Sequence, residues 1–292
     1  MPRMEPPDHF SVSAAETWGT CPKKWHGKYV DKIPDPVGPE ADIGKMAHLV
    51  LERLGSFKPG RRSPEVAVQL GNRLWTERTK PERREAMGHV VRALRNLEIA
   101  AGEPVMLERE LRTTLAGVPF LGYLDRADQL PSGALRILDY KTGQRKAGPR
   151  NAWLAPKGRQ LAIYAAAVEV IDGRPVHQGA LIWTAYSPVK VDEFEMDDEF
   201  LADALAWFSG VWDEILAAFD NDVFEAKPGA LCSWCSLVAG CPEGREAVIE
   251  RAAIKGKSIG PHGQAVLDEI AVQQFSDTLA VVEGKHLTVV DD

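Results

Sequence analysis

The sequence predicts a mixed α/β fold, and three observations carry that prediction. Apolar residues recur at helical spacing through the first hundred positions. From Val105 the period changes to that of strands, and beyond Gly158 helical and strand-like stretches alternate. With 292 residues, 45% of them hydrophobic, the chain can bury a sizeable core.

The elements follow in order. "SVSAAETWGTCPKKWHGKYV", residues 11–30, reads as a helix start, with Ser13 as cap and Glu16 three later, leading to Cys21. A Pro-rich connector precedes "ADIGKMAHLVLERL", where Met46, Val50 and Leu54 are spaced four apart. Residues 64–101 keep the helical period and predict two helices, so a helical insertion occupies about 60–102. "VMLERELRTTL", "VPFLGYLDRADQL" and "ALRILDYK" predict three successive strands with turns at "AG" and "PSG". Then come a helix ("GRQLAIYAAAVEVI"), a strand ("VHQGALIWTAY") and a long, mostly buried helix ("EFLADALAWFSGVWDEILAAF"). A tail from about Arg245 holds a weak helix and the strand-like "KHLTVV".

Composition narrows the partners. The net charge of −7 argues against indiscriminate nucleic-acid binding. Pro, Asp and His interrupt the first residues, which do not read as a signal peptide, and the longest apolar run, "LAIYAAAV", is too short for a bilayer. The expectation is a cytoplasmic protein with reduced thiols and no membrane partner. Two basic clusters stand out. Arg145, Lys146, Arg150, Lys157 and Arg159 fall in a stretch without acids and predict a DNA-phosphate track. Arg78, Lys80, Arg83, Arg84, Arg92 and Arg95 are interleaved with acids and read as a solvated helix face.

"LRILDYKTG" sets Asp139 and Lys141 two apart at the end of an apolar run. If Ser132 centres the "PSG" turn, Asp125 and Asp139 stand opposite each other on an antiparallel hairpin. The same register puts Asp128 opposite Arg136, a favourable ladder pair, and Lys141 shares the Asp139 face. Two carboxylates roughly 5 Å apart repel by about 3 kcal/mol at an effective dielectric near 20. A shared proton or a bound cation must offset that. Hard oxygen ligands suit Mg²⁺ or Mn²⁺, with Lys141 beside the attacking water.

The run "GYLDRADQL…LRILDYKTG" resembles the RecB-like branch of the PD-(D/E)XK nucleases. "GKMAHLVLERL" supplies the helical His48 that precedes that core, and "RQLAIY" supplies Gln160 and Tyr164 after it. The resemblance implies a restriction-endonuclease-like core, a central mixed sheet flanked by helices. It implies His48, Asp125, Asp139 and the Tyr140 carbonyl as metal ligands, Asp125, Asp139 and Lys141 as catalytic residues, and Gln160 and Tyr164 as residues that position the site or the substrate.

Cys21 and the segment "CSWCSLVAGC", with Cys232, Cys235 and Cys241, supply four thiols in a reduced compartment. Four thiolates suit one zinc or one iron–sulfur cluster, and spacing does not separate the two. One cysteine before the core and three after it resembles the iron–sulfur members of this branch, CRISPR-associated and phage RecB-like exonucleases and AddB-type nuclease domains, and implies a structural [4Fe–4S] cluster joining the N- and C-terminal segments. The expected organisation is one nuclease domain over residues 1–245, closed by the cluster, with 246–292 as a tail.

The functional expectation is a metal-dependent DNA exonuclease acting at single-stranded ends, 5′→3′ by resemblance, in recombination or repair. The alternative is a non-cutting DNA-end-binding subunit that keeps the fold. No P-loop of the G-x-x-x-x-G-K-[ST] type is present, so a helicase partner would be a separate chain. The resemblance also brings in a recombinase or CRISPR-adaptation partner, and ring-forming homo-oligomers.

Overall fold

Five strands in the order β1-β2-β3-β4-β5 make one mixed sheet in the computed structural model, which describes residues 5–35, 38–75, 79–145 and 150–286. β1 (Pro104–Leu115), β2 (Val118–Gln129) and β3 (Leu135–Lys141) are antiparallel neighbours, β3 runs parallel to β4 (Val176–Trp183), and β5 (Lys190–Glu195) closes the edge antiparallel to β4. The first turn places Ala116 and Gly117 at φ +48° and +82°, as a two-residue hairpin of matching twist requires. The β2–β3 pairing has the register expected from the sequence, with Asp128 level with Arg136 and Arg126 with Leu138. The charge pair does not form, however. Asp128 is taken by Arg126 on its own strand at 2.6 and 2.8 Å, while Arg136 reaches Glu98 and Glu193. Side chains two apart on a strand share a face, and the buried Arg126 needs the carboxylate more than the half-buried Arg136.

The helices begin where capping residues allow. α1 (Val12–Thr20) is capped by Ser11, whose Oγ accepts the Ala14 N–H at 3.2 Å, and not by Ser13, which lies inside the first turn. Cys21 caps α2 (Pro22–Tyr29), with Pro22 at its first position. α3 (Pro39–Gly55) opens with Glu40 and Asp42 against its positive end. Among the described residues of the insertion there are three α-helices where the sequence predicts two. Ser63 caps α4 (Pro64–Leu74), a Thr79–Glu82 capping box starts α5 (Lys80–Leu94), and Asn96 caps the short α6 (Leu97–Ala101). α7 (Arg150–Asp172) crosses between β3 and β4, and α8 (Asp198–Asn221) follows β5.

The described residues fall into two compact units. The larger spans 8–15 and 38–214 and contains the sheet. On it, Val50 and Leu54 of α3, Val90 and Ala93 of α5, and Leu138, Tyr140 and Ile182 of the sheet share one core. Each fully buried aliphatic side chain there contributes about 1.5–3 kcal/mol. Phe10 stacks on Phe208 at 5.1 Å in the same unit.

The smaller unit spans 5–7, 16–35 and 215–286. Trp18, Trp25, Phe219 and Phe224 make an aromatic core in it. α9 (Pro242–Ala253) runs through residue 245, where the sequence places the start of the tail. Val248 and, from α10 (Pro261–His286), Val266 pack with Val238 of the cysteine segment. Of "KHLTVV", Lys285 and His286 end α10 instead of opening a strand, and 287–290 lie outside the described residues.

Candidate metal centre

Three adjacent strands bring three carboxylates level. Glu108 falls between the pairs Leu107–Arg126 and Arg109–Leu124, and so stands beside Asp125. One further step along the β2–β3 ladder sets Asp125 level with Asp139. α3 adds His48, whose Nδ1 lies 3.4 Å from Asp125 Oδ1 and 3.7 Å from Glu108 Oε1. Its Nε2 is 2.9 Å from the Tyr140 carbonyl oxygen. His48, Glu108 and Asp125 each offer a ligand atom within 4.8 Å of the others. Asp125 Oδ2 accepts the Tyr140 N–H at 2.7 Å, leaving Oδ1 for other partners.

Lys141 and Asp139 meet at 2.6 Å. Lys141 Nζ also donates to Gln160 Oε1 at 3.3 Å, and Gln160 Nε2 donates to the Tyr164 hydroxyl at 3.3 Å. Gln160 and Tyr164 are one turn apart on α7, so one face of that helix addresses β3. Thr184, just past β4, accepts no role from sequence alone, yet its N–H and hydroxyl both hold the Lys141 carbonyl, at 2.9 and 3.2 Å.

Glu108 was not legible as a site residue. "LERELR" reads as an ordinary charged strand, with Glu110 an equal candidate. What separates them is backbone: Glu108 has φ +41°, and a left-handed β-strand residue of this type costs roughly 1–3 kcal/mol. Glu110 instead points outward and accepts from the Tyr123 hydroxyl.

The electrostatics favour a cation here. Burial, and then the neighbouring charge of Asp139, push the Asp125 carboxyl above its ordinary range. Burial opposes charge on His48 as well, but hydrogen bonds to Asp125 and Glu108 and the charges of Asp125 and Asp139 outweigh it and lift His48 to about 10. Asp139 Oδ2 is buried without a well-formed hydrogen bond. A set of carboxylates, one imidazole and one carbonyl suits a hard divalent ion, and the residues fit it.

The cations expected to form a phosphate track have the following partners among the described residues. Arg145 is held by the buried Asp192 at 2.9 Å, and Arg159 lies over the Trp207 ring at 4.3 Å. Both are therefore already engaged. Lys157 is half-buried and has a partner of its own, while Lys146 and the Arg150 side chain lie outside the described residues.

In the smaller unit, Cys21, Cys232, Cys235 and Cys241 all line one cavity of 230 Å³. Cys21 Sγ accepts N–H groups of Lys24 and Lys227 at 3.5 and 3.4 Å, and Cys232 Sγ accepts that of Gly229 at 3.3 Å. None of the four forms a disulfide. Backbone donors aimed at sulfur suit thiolates bound to a metal group.

Among the described residues no helix is long and apolar enough to cross a membrane. No curated protein matches the chain. The structure is similar to that of a candidate exonuclease from Eubacterium rectale, with a TM-score of 0.56 and 15% identity over 80% of this chain and 88% of that one. The solved structure of SSO0001 aligns over 82% of this chain and 88% of that one, with a TM-score of 0.41 and 11% identity. The family model of the PD-(D/E)XK nuclease superfamily matches residues 9–242, which include every strand and all four cysteines. With that match over most of its length, the chain belongs to the PD-(D/E)XK nuclease superfamily.

Proposed function

We propose that this chain is a metal-dependent DNA exonuclease that hydrolyses phosphodiester bonds at single-stranded ends. One observation carries the reading. Ligand atoms of His48, Glu108 and Asp125 converge within 4.8 Å while Lys141 sits 2.6 Å from the adjacent Asp139.

Glu108, Asp125, Asp139, His48 and the Tyr140 carbonyl would hold Mg²⁺ or Mn²⁺. When bound, such an ion supplies Lewis acidity at a phosphoryl oxygen and lowers the pKa of water. The chain's own residues do the rest. Lys141 Nζ, fixed by Asp139 and Gln160, orients the attacking water and neutralises charge that builds on the phosphorus oxygens. Tyr164, whose hydroxyl is pushed up to about 12 by burial, stays protonated and holds Gln160 in place. Asp125 fixes the β3 backbone through the Tyr140 N–H. The 5′→3′ direction, action in recombination or repair and a separate helicase partner rest on the family resemblance, and the description of the Eubacterium rectale neighbour supports exonuclease action.

We further assign the four cysteines to a structural [4Fe–4S] cluster. One cysteine before the core and three after it support this reading by the family resemblance, and all four thiols line one cavity. Joining Cys21 to the trio closes a loop of about two hundred residues, so binding energy of the cluster becomes folding energy.

The test is cleavage of end-labelled single strands with Mn²⁺. Wild type should release nucleotides from one end, while Lys141→Ala and Asp139→Asn should not. Equal activity in all three would reject the assignment.

A further inference from the structure

Away from the metal centre, α4 and α5 enclose a groove of 570 Å³ on the larger unit. Among the described residues its lining includes Asn72 and five bases, Lys80, Arg83, Arg84, Arg92 and Arg95, and no acid. In a chain of net charge −7 such a concentration of one sign focuses a positive field. The helical period produces it. Lys80, Arg84, Gly88, Val91 and Arg95 fall on one stripe of α5 and its C-cap, spanning about 22 Å at 1.5 Å per residue.

Two of the bases are structural. Arg83 donates to the Trp75 carbonyl at 2.9 Å, and Arg92 donates to the Thr184 carbonyl. Lys80, Arg84 and Arg95 are exposed and, among the described residues, have no ion-pair partner. The nearby acids do not cancel them. Glu82 is used in the capping box, Glu85 lies to the flank near Arg92, and Glu98 and Glu193, in the adjoining groove that shares Arg92 and Arg95, are taken by Arg136. Gly88, in mid-helix where glycine weakens a helix, leaves the groove floor bare. A Cβ there would come within 3.2 Å of the Arg92 guanidinium.

The opposite side of α5 leads to the metal centre. His89 Nδ1 lies 2.9 Å from Thr184 Oγ1, and Thr184 holds the Lys141 carbonyl. We propose that the α4–α5 groove binds a single nucleic-acid strand by its phosphates, as a sequence-independent track on the same unit as the metal centre. This rests on the nuclease reading for its purpose, though not for its binding.

The experiment is anisotropy of a fluorescein-labelled oligothymidine with Ca²⁺ in place of Mn²⁺, titrated at several salt concentrations. Lys80→Ala/Arg84→Ala/Arg95→Ala should weaken binding about tenfold or more at low salt, and should lower the slope of log K against log salt by about two for three lost contacts. Unchanged affinity and slope overturns the inference. Should the triple variant melt early, Arg84→Glu alone serves, with iododeoxyuridine crosslinks on wild type. These should map to residues 68–95, and crosslinks confined elsewhere overturn it. Equal competition by polyglutamate would replace the nucleic acid with an acidic protein. Wild type that binds through the groove but never cleaves would refute the nuclease reading alone; wild type that cleaves while the triple variant binds normally would refute the groove alone.

Discussion

Asp125 reaches across the β2–β3 hairpin and accepts the backbone N–H of Tyr140 at 2.7 Å, fixing the strand between Asp139 and Lys141. That carboxylate therefore has two duties, one through each oxygen. Asp125→Asn keeps an acceptor for the N–H but loses the charge that a cation needs. Cleavage should fall by more than about 100-fold, beyond the range for groups outside the ligand shell. Asp125→Ala also strands the Tyr140 N–H, at a cost of about 1–3 kcal/mol. Thermal melts in EDTA should place the Ala variant below the Asn variant, and equal melts would deny the backbone role.

The raised His48 sets a pH dependence. Below its ordinary value of 6.5, folded and unfolded chains both hold the proton, so the stabilisation is fully present. Above 6.5 only the folded chain holds it, and the advantage is lost as pH rises toward about 10. In EDTA, stability measured by urea unfolding should decline from neutral pH to pH 10, and His48→Gln should flatten that decline. A ligating histidine must be neutral, so Mn²⁺ binding should release a proton and strengthen with pH. Calorimetry in buffers of different ionisation enthalpy reads that proton.

Gln160 touches Lys141 and Tyr164 and none of the expected metal ligands' oxygens. Gln160→Ala should lower kcat by about 10–100-fold while Mn²⁺ affinity stays near that of wild type. Tyr164→Phe, which removes one hydroxyl from the chain of contacts, should have a smaller effect. A loss of Mn²⁺ binding in Gln160→Ala would move that residue into the ligand shell.

Protein purified without oxygen should be brown, with broad absorption near about 400 nm from thiolate-bound iron. Cys235→Ser should lose iron and melt at lower temperature. Zinc in place of iron would correct the cluster and leave the metal centre untouched.

Much of this was written in the sequence. Placing Ser132 at the turn gave the register that the structure shows, because a two-residue step and a short turn leave little freedom. His48, Gln160 and Tyr164 converge on the hairpin as the order of motifs implied. Other features depend on tertiary context. β5, "KVDEFE", is four-sixths charged, and only pairing with β4 makes it a strand. Glu108 depends on a left-handed backbone that no local pattern announces. Arg145 and Arg159 looked free in a stretch without acids, but Asp192 and Trp207, distant in sequence, claim them. Lys80, Arg84 and Arg95 are exposed, as the solvated face read from the sequence implies, while Arg78 of that cluster lies outside the described residues.

Manganese soaked into crystals tests the heart of the matter, because its anomalous scattering locates the ion itself. The expected result is a peak ligated by Glu108, Asp125, Asp139 and His48, with Lys141 alongside and not bound. No peak at saturating Mn²⁺, with the carboxylates still gathered around a protonated His48, would mean that this constellation is held together by its own proton and performs no metal-dependent hydrolysis.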